Sequence, residues 1–190
     1  MSGVHRFSRA ALPLMPWKNR GGTTQEIASG PHGSALDGFG WRVSIATIAG
    51  SGPFSVFAGI DRQIMLLEGD GVRLSTQDGR IDHRLDVPHQ PFAFSGDEAI
   101  DCTLLGGASK DFNVMTRRGQ WRADLRVLLG ASAVAPAPHG MLLSLRGAWR
   151  LNGEACREGE GLYWVDTLHG WQAEPDHEDA RLVAVRIVPA

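Results

Sequence analysis

The chain has 190 residues, 43% apolar and 21% charged, with a formal net charge of −2. That length can bury a sizeable core, in one domain or two small ones. The near-neutral charge and scattered basic residues give no stripe for nucleic acid or an acidic membrane surface, and no apolar run approaches the roughly 20 residues of a spanning helix. Met1-Ser2-Gly3-Val4-His5-Arg6 leads into a short apolar stretch broken by Pro13. It makes a poor secretory signal, and the expected location is the cytoplasm. The two cysteines, Cys102 and Cys156, suit reduced core thiols better than a disulfide framework.

Glycine decides the fold class. There are 24 glycines and 10 prolines, against a usual glycine share of about 7%. The longest run lacking both is the 13 residues from Asp176 to Val188, so the chain reads as all-β, many short strands joined by turns.

In chain order, Met15-Pro16-Trp17-Lys18-Asn19-Arg20-Gly21-Gly22-Thr23-Thr24-Gln25-Glu26-Ile27 mixes aromatic, cationic, amide, hydroxyl and carboxylate groups around two glycines. It reads either as a solvated turn feeding a strand or as a ligand-facing loop. Trp41 to Ala46 alternates as a half-buried strand, with Trp41 in the core. Gly52-Pro53 breaks it, and Phe54-Ser55-Val56-Phe57 resumes an extended pattern. Ile64 to Leu67 is a short apolar strand, and Asp78-Gly79 is a hairpin signal. Arg80–Val87, Phe92–Phe94, Ile100–Leu105, Asp111–Met115 and Arg122–Leu129 supply further strands, and residues 131–140 form a proline-marked connection.

After that connection the pattern returns. Met65-Leu66-Leu67 is echoed by Met141-Leu142-Leu143, Phe92–Asp97 by Leu162–Asp166, and Ala99–Leu105 by Ala180–Val188. Echoes at this spacing favour a duplicated β unit, with residues 1–118 as the first and 119–190 as the second. Short antiparallel strands of this kind suit jelly-roll units of the cupin type.

Three ordered blocks resemble the HutD/Ves family. Met15-Pro16-Trp17-Lys18-Asn19 with Gly21-Gly22, Thr24 and Glu26-Ile27 form the first. Phe39, Trp41-Arg42-Val43-Ser44, Gly52-Pro53-Phe54-Ser55 and Asp61-Arg62 form the second. Asp111-Phe112-Asn113-Val114-Met115 with Arg117 forms the third. The resemblance spans about residues 15 to 118. It implies a bicupin fold, a link to histidine utilisation, and binding of a small formylated or carboxylate metabolite such as formylglutamate. Arg20 stands where the family tends to have a glycine, and Ala58 where it commonly has a proline.

A cupin-type metal site needs converging imidazoles, often one residue apart. None of His5, His32, His83, His89, His139, His169 and His177 has another histidine two positions away, so no metal and no cofactor are expected. No nucleophile elbow or phosphate loop is present. The candidate ligand-binding residues are therefore polar and aromatic. Lys18 and Arg42 could neutralise a carboxylate. Asn19, Thr24 and Asn113 could bond an amide or formyl group. Trp17 and Phe54 could wall the pocket, and Glu26 and Asp111 could orient the cations. Structural roles compete: Arg42 as an ion-pair partner of Glu26 or Asp111, Asn113 as a turn cap, and Asp61-Arg62 as turn chemistry.

The chain thus reads as a metal-free small-molecule-binding protein that senses a small carboxylate and modulates histidine or nitrogen catabolism. The alternative is an isomerase or hydrolase using Glu26, Asp111 or Lys18 as an acid–base group. A third reading, a structural partner protein, predicts an exposed apolar patch or a stable assembly; a homodimer is left open.

Overall fold

The computed structural model describes residues 3–30 and 38–190. Met1, Ser2 and His32 lie outside the described residues. Segments cut short by glycine and proline form strands, and the described residues contain one 3₁₀ turn, Arg9–Ala11, and no α-helix. Among them, no helix is long and apolar enough to cross a membrane.

The chain divides into two compact units, Pro13–Gln120 and Met1–Leu12 with Trp121–Ala190. In the first, one sheet runs in the order β2 (Met15–Pro16), β3 (Gly22–Gly30), β4 (Trp41–Ile48), β11 (Ser109–Arg117), β6 (Ile60–Glu68), β9 (Pro91–Ser95). Its second sheet is β5 (Gly52–Pro53), β10 (Asp101–Leu104), β7 (Val72–Ser75), β8 (Asp82–Leu85). In the other unit, one sheet is β1 (Gly3–Ser8), β17 (Glu160–Val165), β14 (His139–Arg146), β19 (Arg181–Pro189), β12 (Trp121–Leu128). The companion sheet is β13 (Ser132–Ala137), β18 (His169–Pro175), β15 (Trp149–Leu151), β16 (Glu154–Cys156).

The two units share one topology. The order β4-β11-β6-β9 becomes β12-β19-β14-β17, and β5-β10-β7-β8 becomes β13-β18-β15-β16. Two of the sequence echoes fall on corresponding strands, β6 with β14 and β9 with β17. The third does not: the counterpart of β10 is β18, and that of β19 is β11. A short apolar strand after an acidic turn is too common a pattern to fix a correspondence.

Three local expectations change. Residues 1–12 were assigned by sequence to the first unit, but β1 pairs antiparallel with β17, from Gly3↔Val165 to Ser8↔Glu160. That pairing is a long-range contact that periodicity cannot reveal. The proline-marked connection contains the strand β13. Its register shifts between Val134 and Ala137, and it lies at the edge of its sheet, where a proline costs no ladder bond. Phe54 to Phe57 is irregular rather than a strand, held by Phe54 N–H to Ile100 O at 2.8 Å and Phe57 N–H to Gly96 O at 2.8 Å.

Each unit packs its core between its own two sheets. In Pro13–Gln120 that core joins Ile48, Ile64, Leu66 and Phe94 to Val72, Leu74, Leu85 and Cys102. In the other it joins Leu142, Leu162, Trp164, Leu182 and Ala184 to Trp149, Leu151, Cys156 and Trp171. Cys102 and Cys156 are free and buried.

Candidate ligand-binding site

Residues opposed across an antiparallel ladder share a face. On β4, β11, β6 and β9, one register row is Arg42, Met115, Arg62, Phe94, and the next is Ser44, Asn113, Ile64, Phe92. A third is Thr24, Ala46, Asp111, Leu66. Ile64, Leu66 and Phe94 belong to the core, so this is the inward face. It carries polar and charged groups among apolar ones.

Two cations are buried on this face, Arg42 and Arg62; Arg62 lies among aromatic rings. The guanidinium carbon lies 4.9 Å from the ring centroid of Phe94, 5.3 Å from Phe54 and 5.7 Å from Phe57, a cation–π environment. Its Nη2 donates to Asn113 Oδ1 at 3.1 Å, and Asn113 Nδ2 donates in turn to Asp111 Oδ2. Asp111 and Asn113 are themselves buried. Two atoms of this relay, Arg62 Nε and Asp111 Oδ1, are buried without a hydrogen-bond partner. An unsatisfied buried polar atom costs roughly 1–3 kcal/mol, so this pair calls for an explanation.

Burial raises the Asp111 carboxyl to about 7, against the opposing pull of the Asn113 hydrogen bond and the Arg62 charge. Burial lowers Arg62 to about 10, with Asp111 pulling it up and Arg42 pushing it down. Arg62 therefore remains a cation at neutral pH, while the Asp111 carboxyl is moved from the usual carboxylate range towards neutrality. Burial, with Asp111 nearby, pushes the Cys102 thiol up to about 12, which leaves it inert as a nucleophile.

Arg42 Nε donates to Glu26 Oε2 at 2.6 Å, and Ser29 Oγ donates to Glu26 Oε1 at 2.9 Å. Arg42 is buried, whereas the Glu26 side chain is 34% exposed. This pair therefore runs from the interior towards solvent. Two guanidiniums, Arg42 and Arg62, thus stand near two carboxyl groups, Glu26 and Asp111.

The opening loop is placed by glycine. A Cβ on Gly22 would lie 2.1 Å from the Thr47 carbonyl oxygen and 3.1 Å from the Trp17 ring. Trp17 packs against the core and donates from Nε1 to Thr24 Oγ1 at 2.8 Å. Asn19 Oδ1 accepts from Gly21 N–H at 3.0 Å, which closes the turn locally. Lys18, Asn19 and Arg20 are exposed, and Arg20 adopts a φ of 61°.

Of the residues singled out by sequence, Glu26, Arg42, Phe54, Asp111 and Asn113 thus come together, with Trp17 and Thr24 beside them. Lys18 and Asn19 stay in the exposed turn. Arg62, read as turn chemistry, is instead a buried strand residue at the centre of the group. Alternation of Ile60, Arg62, Ile64 and Leu66 along β6 was the signal for it. Among the described residues, no group of three or more His, Cys, Asp or Glu side chains is arranged to hold a metal ion.

The chain matches the HutD family model over residues 9–182. An uncharacterised 21.2 kDa protein in the hutC 3′ region of Pseudomonas putida is 48% identical, covering 88% of this chain and 87% of that protein. Protein Ves of Citrobacter koseri is 38% identical, covering 86% of this chain and 84% of its own. The structure of HutD from Pseudomonas fluorescens superposes with a TM-score of 0.86 at 30% identity, covering 99% of this chain and all of that one. At 11% and 7% identity, a bacterial pirin from Escherichia coli and an oxalate decarboxylase from Lactobacillus farciminis share the architecture with TM-scores of 0.62 and 0.68, which makes the fold that of a cupin. Sequence and fold agree over nearly the whole length: the chain belongs to the HutD family.

Proposed function

We propose that this chain is a small-molecule-binding protein that takes a carboxylated metabolite onto the inward face of the Pro13–Gln120 unit and thereby modulates histidine utilisation. The observation that carries this is the pair of orphaned buried atoms, Arg62 Nε and Asp111 Oδ1. A ligand carboxylate satisfies the first, and an amide N–H on the same ligand satisfies the second when Asp111 is ionised. Phe54, Phe57 and Phe94 supply the apolar wall, and Arg42 adds a second guanidinium once it exchanges Glu26 for the ligand. A formylated amino acid such as formylglutamate carries both required groups. Two comparisons support the pathway: the relative in the hutC 3′ region and the HutD structure.

Calorimetric titration of the full chain with N-formylglutamate, formate and urocanate tests this. Saturable binding of N-formylglutamate that is lost in Arg62→Met supports it; no heat from any of the three at millimolar concentration overturns it.

One observation favours acid–base catalysis instead. Asp111 titrates near neutrality, the range a general acid or base needs. Turnover of a bound acid that disappears in Asp111→Asn while binding persists would make the protein an enzyme.

A further inference from the structure

We propose that the unit Met1–Leu12 with Trp121–Ala190 has its own anion site, selective for a short-chain monocarboxylate, at a cleft between β12, β13 and β19. The cleft holds about 180 Å³. That is below the roughly 300–1,000 Å³ of a pocket for a drug-sized ligand and suits an acid of a few carbons.

The register places the cleft on the inward face. Asp124 opposes Arg186, Arg126 opposes Ala184, and Leu128 opposes Leu182; Ala184 and Leu182 are core residues of this unit. The topology makes β12 and β19 the counterparts of β4 and β11, the strands that present Arg42, Asp111 and Asn113 in the other unit. The chemistry is rebuilt from different positions. The echo of Met65 with Met141 sets Pro138 where β6 has Arg62, and Gly140, opposite Arg186, lies beneath the ring of Trp164, so this unit places its inward cation on β19.

Arg186 is fixed from behind. Its Nε donates to Ala135 O at 2.9 Å and its Nη2 to Pro136 O at 3.2 Å. Its Nη1 is 3.8 Å from Asp124 Oδ2, beyond hydrogen-bond reach, so this donor remains to be used. Arg126 meets the same Asp124 at 3.0 and 2.9 Å. That pair is exposed, with Arg126 at 69%, and exposed pairs open at little cost. Two guanidiniums face one carboxylate, leaving one positive charge for one negative ligand. Ala133, Ala135 and Ala184 line the remaining wall, leaving space for a short alkyl chain.

The test is backbone amide NMR of the full chain titrated with propionate. Saturable shifts centred on Ala133, Ala135 and Ala184 are expected, weakened about tenfold in Arg126→Gln and abolished in Ala133→Phe, whose exposed side chain fills the cleft. The shifts should persist in Arg62→Met, which separates this site from the one proposed above. Absence of saturable shifts overturns the proposal. So do equal shifts from propionamide, which lacks the charge, or from sodium chloride at matched ionic strength, which would reduce the cleft to general ion pairing.

Discussion

Arg62 Nη2 donates to Asn113 Oδ1 at 3.1 Å, joining a buried cation on β6 to a buried amide on β11. The bond fixes one edge of the guanidinium and leaves Nε without a partner. It also aligns Asn113 so that its Nδ2 faces Asp111. The relay holds these groups in place relative to one another, and preorganisation of this kind would lower the ordering cost of the binding proposed above.

Arg62→Met should therefore weaken the binding proposed for this face. Charged hydrogen bonds are worth about 1.5–3 kcal/mol each, so a loss of roughly ten- to a hundredfold is expected by calorimetry. Arg62→Lys should recover little, because a single ammonium cannot both reach Asn113 and present an Nε-like donor. Full affinity in Arg62→Lys would show that only charge matters.

Asp111 should make stability depend on pH. Its carboxyl lies at about 7 in the folded protein, against about 3.9 in an unfolded chain. Between these values the folded state holds a proton that the unfolded state has released. Stability is then fully present below about pH 4 as far as this group is concerned, and is lost as pH rises through 7, by at most about 1.4 kcal/mol per unit. Asp111→Asn should flatten that slope. Denaturant midpoints at pH 5, 6, 7 and 8 measure it, and an unchanged slope in the variant would assign the effect elsewhere.

The exposed turn should tolerate change. Arg20 at φ 61° bears a left-handed penalty of roughly 1–2 kcal/mol, offset by the greater unfolded-state entropy of glycine at about 0.4–1 kcal/mol. Arg20→Gly should leave the melting temperature unchanged or slightly raised, whereas Arg20→Val, β-branched at positive φ, should lower it. Lys18→Ala should leave carboxylate affinity unchanged, because Lys18 stands in the exposed turn. A large affinity loss in Lys18→Ala would bring that turn into the binding site.

Gly140→Ala should destabilise the fold. The added Cβ would lie 2.3 Å from the Trp164 ring and 2.4 Å from the Val185 carbonyl. Trp164 cannot yield easily, since its Nε1 donates to Ala137 O at 2.9 Å in the interior. Overpacking of this kind costs about 1–3 kcal/mol, visible as a drop of several degrees in thermal unfolding.

Much of this protein was legible in the amino-acid sequence. Glycine and proline spacing excluded helices of ordinary length, so the all-β class followed from composition. The alternation of Trp41 to Ala46 and of Arg122 to Leu129 marked β4 and β12, and the Met65 and Met141 echoes marked β6 and β14 as equivalent. Strand faces are local, with a period of two, and for that reason they can be read along the chain. Pairing is not local. Only the tertiary structure decided that β1 closes the edge of β17, that β13 runs through Pro136 at a sheet edge, and that β4, β11 and β6 lie side by side. That last adjacency sets Arg42, Asn113, Asp111 and Arg62 on one inward face, and burial there moves Asp111 towards neutrality. Lys18 and Arg62 show the limit from both sides. A cation in a motif-rich turn remained in solvent, and one that read as turn chemistry became the buried centre of the site, because burial belongs to the packed sheets and not to the segment.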